Sequence, residues 1–149
     1  MSNIISKDVA DEKISSGWLR AWLAFTALAA NEDVTRAALS ELIDKLDQDA
    51  RVKLYKKEFG TLEKREKPLK GVDIAWSGTA EVELVTKDFD SLVQIVMQYG
   101  PSAVELLEPS KLTINVGEAQ NILNSVAQMM HHFAAAGLGG IIFVRGSEQ

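Results

Sequence analysis

Several glutamates stand where they could do acid–base chemistry or hold a metal ion. Glu81 and Glu83 alternate with apolar residues in a predicted strand, so both carboxylates project from the same face. Glu105 projects from another predicted strand, and Glu108 follows it. Paired carboxylates of this kind suit general acid–base catalysis or binding of Mg²⁺ or Ca²⁺. The other interpretation is an exposed strand face that its charges make soluble.

The two histidines, His131 and His132, are neighbours on a predicted helix, so their side chains diverge by about 100°. They cannot both bind one metal ion without other ligands, and neither stands in an HExxH motif. His131 shares the polar side of the helix with Asn124 and Gln128, which makes it the better candidate for an interface or ligand contact. The chain has no cysteine, which excludes Cys-ligated zinc and iron–sulfur clusters. We expect no catalytic residue, metal or cofactor.

The basic residues are concentrated in one segment. Residues 51–70 hold eight of the 16 basic residues and three of the 21 acidic ones, a net +5, which leaves −10 for the rest of the chain. The segment surrounds a predicted hairpin and suits phosphate groups of RNA or an acidic protein partner. The other interpretation is a solvated tip, because glutamates interleave with the bases. The candidate contact residues are Lys56, Lys57, Lys64, Arg65, Lys67 and Lys70.

Three tryptophans are candidates for an interface or for ligand stacking. Trp18 and Trp22 are four residues apart, and Trp76 belongs to a later predicted strand. Core burial or a sheet-to-sheet dimer contact accounts for such rings, and stacking of a ligand is the alternative. The sequence motif with which RRM domains stack bases is absent.

Hydrophobic periodicity indicates an α+β fold. The order βαββαβ corresponds to a ferredoxin-like sandwich, an antiparallel sheet in the order 4-1-3-2 with both helices on one face. An additional C-terminal helix follows, then a glycine-rich turn at 137–140 and a short terminal strand at 141–144. The turn comes after a helix, unlike a phosphate-binding loop, so it is interpreted as a helix end. The predicted strands are 18–28, 51–59, 73–86 and 103–116, and the predicted helices are 32–49, 89–99 and 118–136.

The run from residue 18 to 30 fits two structures. Its composition favours a helix, but a helix here would meet the Asn31 cap of the next helix with almost no loop. We interpret it as a strand, and its apolar residues on both faces indicate a central position. The stretch from residue 61 to 71 is predicted as either the hairpin connection or the extended tips of its two strands.

Length and composition describe a single domain. The 149 residues carry a net charge of −5 and are 46% hydrophobic, enough for a real core. We divide the domain into a tail (1–16), the βαββαβ core (17–116) and a C-terminal helix and strand (117–149). The first residues are too charged for a signal peptide or membrane anchor, so we expect a cytoplasmic protein without membrane contact.

Three runs carry a resemblance to known proteins. Residues 80–84 (AEVEL), 99–109 (YGPSAVELLEP) and 117–124 (GEAQNILN) resemble uncharacterised small archaeal proteins of about this length, and the likeness extends less sharply over residues 20–59. Residues 82–112 are more weakly similar to the C-terminal extension of WYL-domain regulators. Both resemblances imply an α+β sandwich and no established catalytic residues. The DNA-binding and WYL parts of those regulators are missing, so transcriptional control is not implied.

The sequence favours a non-catalytic interaction module that acts through protein–protein contacts and forms a homodimer through its sheet face or C-terminal helix. The alternative is an RNA- or ribosome-associated protein that contacts phosphates through the basic hairpin. A small-molecule-sensing regulatory domain ranks third, and a hydrolase using Glu105 or His131 ranks last.

Overall fold

The structure is a computed structural model that describes residues 2–136. This part of the chain is an α+β protein with four helices and a five-stranded antiparallel sheet. It falls into two compact units, one ending at Leu112 and the other beginning at Thr113. The elements in chain order are α1 (Lys7–Ser15), β1 (Leu19–Ala29), α2 (Glu32–Gln48), β2 (Val52–Phe59), β3 (Glu63–Leu69), β4 (Val72–Thr86), α3 (Phe89–Tyr99), β5 (Ala103–Glu108) and α4 (Val116–Ala135).

The ambiguous apolar run is a strand, as predicted. β1 pairs antiparallel with β4 on one side and with β5 on the other, so it occupies a central position. The physical reason is local: the side chain of Asn31 accepts a hydrogen bond from the amide of Val34 at 2.9 Å and caps α2. Only two residues therefore separate the strand from the helix, which leaves no room for a helix–helix connection.

The strand order is β2-β4-β1-β5, with β3 also paired to β4. β2 pairs with residues 80–86 of β4 and β3 pairs with residues 72–77. Because β1 occupies the other edge of β4, β2 and β3 lie end to end along the same edge, separated by residues 60–62. β3 and the first half of β4 thus form a hairpin that extends beyond β2, and we call residues 63–77 the hairpin arm. The stretch from 61 to 71 consists mainly of extended strand tips, the second of the two predicted alternatives.

Helices α2 and α3 pack against one face of the sheet, which we call the helix face. The buried core combines both helices with β1, β2 and β4. Alternation along β1 and β4 directs Trp22, Glu81 and Glu83 to the opposite side, which we call the polar face. Helix α1 contacts β2 and β4, and its Asp11 pairs with Arg20 of the polar face.

Two parts of the chain differ from the predicted elements. Strand β5 ends at Glu108, and the predicted continuation to residue 116 is wrong. Pro109 has no amide hydrogen for the ladder, and the alternation of Leu112 and Ile114 reflects no strand. The predicted tail contains α1, capped by Ser6, whose hydroxyl accepts from the amide of Val9 at 3.2 Å. The predicted terminal strand at 141–144 and the turn at 137–140 lie outside the described residues.

A polar network joins the end of α2 to α3. Arg51 donates two hydrogen bonds to the carboxylate of Asp49, at 2.9 and 2.7 Å. Its remaining N–H groups reach the side-chain oxygens of Gln94 and Gln98, at 3.2 and 2.6 Å. The hydroxyl of Tyr99 donates to Asp49 at 2.9 Å. The hydrogen bonds from Arg51 are the main reason that the pKa of Asp49 is lowered to about 2.

Replacing Asp49 with asparagine is expected to remove part of the pH dependence of stability. The folded-state pKa of Asp49 lies below its ordinary value of 3.8. Its contribution, about 2 kcal/mol, is therefore present above about pH 4 and is lost as the pH falls through about 2. Denaturant unfolding of the wild type and of Asp49→Asn between pH 2 and 7 measures it. The two curves should converge at low pH, with the exposed Asp44→Asn as control; parallel curves would contradict the assignment.

Candidate functional site

Arg20 organises one end of the polar face. It is only 8% exposed although it carries a charge. Its Nη2 lies 2.5 Å from a carboxylate oxygen of Asp11 and its Nε donates to Glu108 at 3.0 Å. The guanidinium also lies over the ring of Tyr55, 4.9 Å from the ring centroid. The side chain of Arg20, on β1, thus contacts residues of α1, β2 and β5.

A β-bulge in β2 brings two more polar groups to this face. Leu54 pairs with Leu84 and Lys56 pairs with Glu83, so Tyr55 is an extra residue. Both bulge residues reach the same carboxylate: the hydroxyl of Tyr55 donates to Glu83 at 2.8 Å, and the Lys56 ammonium lies 3.5 Å from it. Burial and the bond to Glu83 raise the pKa of Tyr55 to about 12, against the opposing effect of Arg20. The phenol therefore stays protonated as a donor.

The candidate carboxylates do not converge. Trp22 of β1 is the cross-strand partner of both Glu83 of β4 and Glu105 of β5. The two glutamates therefore lie on opposite sides of Trp22, one strand away in each direction. The carboxylate of Glu83 accepts a hydrogen bond from Tyr55 and forms an ion pair with Lys56. The carboxylate of Glu108 forms an ion pair with Arg20. Among residues 2–136, no three carboxylate or imidazole side chains are grouped so as to hold a metal ion. Two of the four candidate carboxylates, Glu83 and Glu108, are therefore bound to neighbouring side chains.

The six candidate basic residues divide into two groups. Lys56 pairs with Glu58 and Glu83 at 3.7 and 3.5 Å, and Arg65 pairs with Glu63 at 2.9 Å. The others have no carboxylate within 4.0 Å in the described part of the chain, and all are exposed: Lys57, Lys64, Lys67 and Lys70. Three of these lie in the hairpin arm, and Lys57 lies at its base on β2. The lysines without a paired carboxylate thus lie along and beside one hairpin, whose residues 63–77 carry a net charge of +1.

The candidate tryptophans are spread along the sheet. Trp18 precedes β1, and the Lys13 ammonium lies 4.3 Å from its ring centroid. Trp22 is half-buried on the polar face among charged residues. Trp76 lies in the hairpin arm. On β4 it is seven residues, or about 23 Å, from Glu83, the cross-strand partner of Trp22. In the arm, Trp76 is the cross-strand partner of Lys64, a proximity that the sequence did not reveal.

Helix α4, in the second unit, carries His131 on an exposed surface. His131, His132, Asn124 and Gln128 line a shallow hollow along this helix. No residue of α4 is buried in the described structure. Its exposed apolar side chains include Leu123, which is 64% exposed.

The outer edge of β5 is the second exposed apolar feature. Val104 and Leu106 are the cross-strand partners of Leu23 and Ala21, both core residues, so they point to the helix face. They nevertheless remain 42% and 45% exposed. Within residues 2–136, β5 pairs only with β1, so its other edge carries unpaired amide and carbonyl groups.

Sequence reasoning missed Arg20 as an organising residue. A signal was present, because Arg20 is the single charge in an otherwise apolar strand, and a buried charge needs partners. The bulge at Tyr55 left no such signal, because it appears only when β2 and β4 are aligned.

Comparison with known proteins gives one family. The model of the MJ0538 family, whose name comes from the archaeal organism Methanocaldococcus, matches residues 20–142. No curated protein and no solved structure gives a significant match. The expected resemblance to a small archaeal family is thereby supported. Within residues 2–136, none of the helices has the length and apolar character needed to cross a bilayer.

Proposed function

We propose that this chain, which belongs to the MJ0538 family, is a non-catalytic interaction module that forms a homodimer through the outer edge of β5. The observation that carries the proposal is the exposure of Val104 and Leu106, at 42% and 45%, on an edge strand with an unpaired side. Exposed apolar side chains beside open backbone groups are typical of strands that pair with another chain.

A second copy is the occupant that fits this edge best. Antiparallel pairing about a two-fold axis through Glu105 sets Val104 of each copy opposite Leu106 of the other. Side-chain alternation then keeps the helix faces of both sheets on the same side. Closing these contacts buries four partly exposed apolar side chains and adds ladder hydrogen bonds. Because the edge is only six residues long, we expect a dissociation constant in the micromolar range.

The proposal includes the type of fold, a ferredoxin-like sandwich. The strand order β2-β4-β1-β5 with α2 and α3 on one face supports a ferredoxin-like sandwich whose second strand is interrupted before the arm. An open sheet edge at β5 is what such a fold offers for dimerisation. The likeness of residues 82–112 to the C-terminal extension of WYL-domain regulators and the cytoplasmic location stay predictions.

The double variant Val104→Lys/Leu106→Lys is expected to weaken the dimer at least tenfold, because both copies carry the changes and each new ammonium group would face a like charge across the contact. Light scattering after size-exclusion chromatography, from 1 to 200 μM, measures the association. Both positions are partly exposed, so the monomer should keep its circular dichroism spectrum. The matched control is Val34→Lys, at a 51% exposed apolar residue of α2.

A second variant tests the register itself. The proposed axis sets the two Glu105 carboxylates against each other, and like charges directly opposite are destabilising. Glu105→Gln should therefore tighten the dimer severalfold. A wild type that is monomeric at 200 μM would overturn the proposal. A dimer that persists in the double lysine variant and dissociates in Leu123→Glu would assign the contact to α4 instead.

A further inference from the structure

We infer that the hairpin arm binds single-stranded nucleic acid, with phosphates held by Lys57, Lys64 and the lysines of the tip and with a base stacked on Trp76. This inference is independent of the β5 dimer, since the arm and β5 lie along opposite edges of the sheet. It joins two features that the sequence presented separately, the basic segment and the third tryptophan.

Four lysines in or beside the arm have no paired carboxylate in the described part of the chain. Lys57, Lys64, Lys67 and Lys70 are exposed and have no carboxylate within 4.0 Å in the described residues. Residues 56–77, which comprise the arm and its base on β2, contain six basic and four acidic side chains, a net +2 on a protein of net charge −5. Exposed lysines keep their counterions until a polyanion displaces them, which makes binding favourable and dependent on salt.

Trp76 lies beside one of these lysines. It is half-buried and stands directly opposite Lys64 on the neighbouring strand, and Ile74 stands opposite Glu66 on the same side. Directly opposite residues have Cβ atoms about 5 Å apart. An indole beside an unpaired ammonium is the combination with which single-strand-binding surfaces hold a base and its phosphate.

The surface that carries these lysines and Trp76 is long. The register places Lys57 opposite Val82 and brings the tip of the arm to Val72. This part of β4 spans about 33 Å, long enough for several nucleotides. A duplex would keep its bases stacked and away from Trp76, so a single strand fits better than a double helix. An acidic protein would use the lysines and would not need the indole.

The test is fluorescence anisotropy with a labelled 12-nucleotide oligouridine RNA and the matching oligothymidine DNA, at 50 and 200 mM salt, on the full chain. Lys64→Glu/Lys67→Glu should weaken RNA binding about tenfold at 50 mM salt. It should also lower the slope of log affinity against log salt by about 1.4, because each phosphate that is no longer neutralised lowers it by about 0.7. The control Lys87→Glu/Lys111→Glu makes the same change of net charge at exposed lysines outside the arm and should bind like the wild type.

Trp76→Leu should weaken binding severalfold, and Trp76→Phe should restore most of it because a phenyl ring still stacks. RNA should quench the tryptophan fluorescence of the wild type and not that of Trp76→Leu. Wild-type protein that does not bind either oligonucleotide, or equal losses in both lysine pairs, would overturn the inference. Normal binding by Trp76→Leu with loss in Lys64→Glu/Lys67→Glu would overturn it too, because the lysines would then hold phosphates with no base stacked on Trp76.

The dimer and the arm are separable in the same assay. The variant Val104→Lys/Leu106→Lys should bind the RNA with affinity close to that of the wild type, because its changes are remote from the arm. A loss of RNA binding in this variant would contradict the placement of the site on the arm. RNA binding by a monomeric wild type would overturn the proposed dimer and leave the inference about the arm standing.

Discussion

Replacing Gly78 with valine is expected to lower the free energy of unfolding by about 3 kcal/mol, an effect of overpacking. A Cβ atom at this position would lie 2.5 Å from Leu62 Cδ2, 2.9 Å from Leu39 Cδ1 and 3.2 Å from Thr35 Cγ2. Leu39 is 3% exposed and Thr35 is fully buried, so neither has room to withdraw. Chemical denaturation monitored by circular dichroism measures the loss.

The control distinguishes packing from strand preference. Valine is a better strand residue than glycine, so a destabilised variant cannot be explained by propensity. Thr79→Val, at the next residue on the polar face, should change stability by less than about 0.5 kcal/mol. A Gly78→Val protein as stable as the wild type would show that α2 does not pack closely against β4.

Replacing Arg20 with methionine is expected to cost about 3 kcal/mol, at the lower end of the range for breaking a buried ion pair. Methionine keeps the length of the apolar stem but cannot form the bonds to Asp11 and Glu108 or stack its charge on Tyr55. The acidic partners are about half exposed, so water can solvate them in part, which limits the loss. Thermal and denaturant unfolding measure it.

Arg36→Met is the matched control, because Arg36 also pairs with two acids, Glu32 and Asp33, but is 59% exposed. Exposed ion pairs contribute little, and the control should lose less than about 1 kcal/mol. The double variant Arg20→Met/Asp11→Asn should lose less than the sum of its single variants, since the two residues interact. Equal losses in the Arg20 and Arg36 variants would contradict the role assigned to Arg20.

Local signals predicted those elements whose boundaries are set by neighbouring residues. Asn31 caps α2, as its position predicted; residues of the same kind bound α3, with Asp88 as its cap and Gly100 at its end in a left-handed conformation with φ 61°. The strand assignment of β1 followed from the short distance to Asn31. By contrast, the alternation of Leu112 and Ile114 predicted a strand that is absent, because a period of two residues does not supply a partner strand.

Long-range pairing explains what the sequence could not predict about the candidate surfaces. The lysines of the arm were visible as a charge run, but their nearness to Trp76 depends on the register between β3 and β4. Likewise, the exposure of Val104 and Leu106 depends on which elements pack over the helix face of the sheet. Composition predicts neither feature, because both are set by residues far apart in the chain.

The position of the arm beyond β2 divides the molecule into parts with different tolerance of mutation. The side chains of residues 63–68, the part of β3 whose side chains the structure describes, are absent from the buried core, and an isolated two-stranded hairpin adds little to global stability. Changes of charge on Lys64 or Lys67 therefore alter what the arm can contact while the core keeps its fold. An evolving sequence can explore new partners at the arm with almost no loss of folded protein. Gly78, where the arm joins the body, has no such freedom.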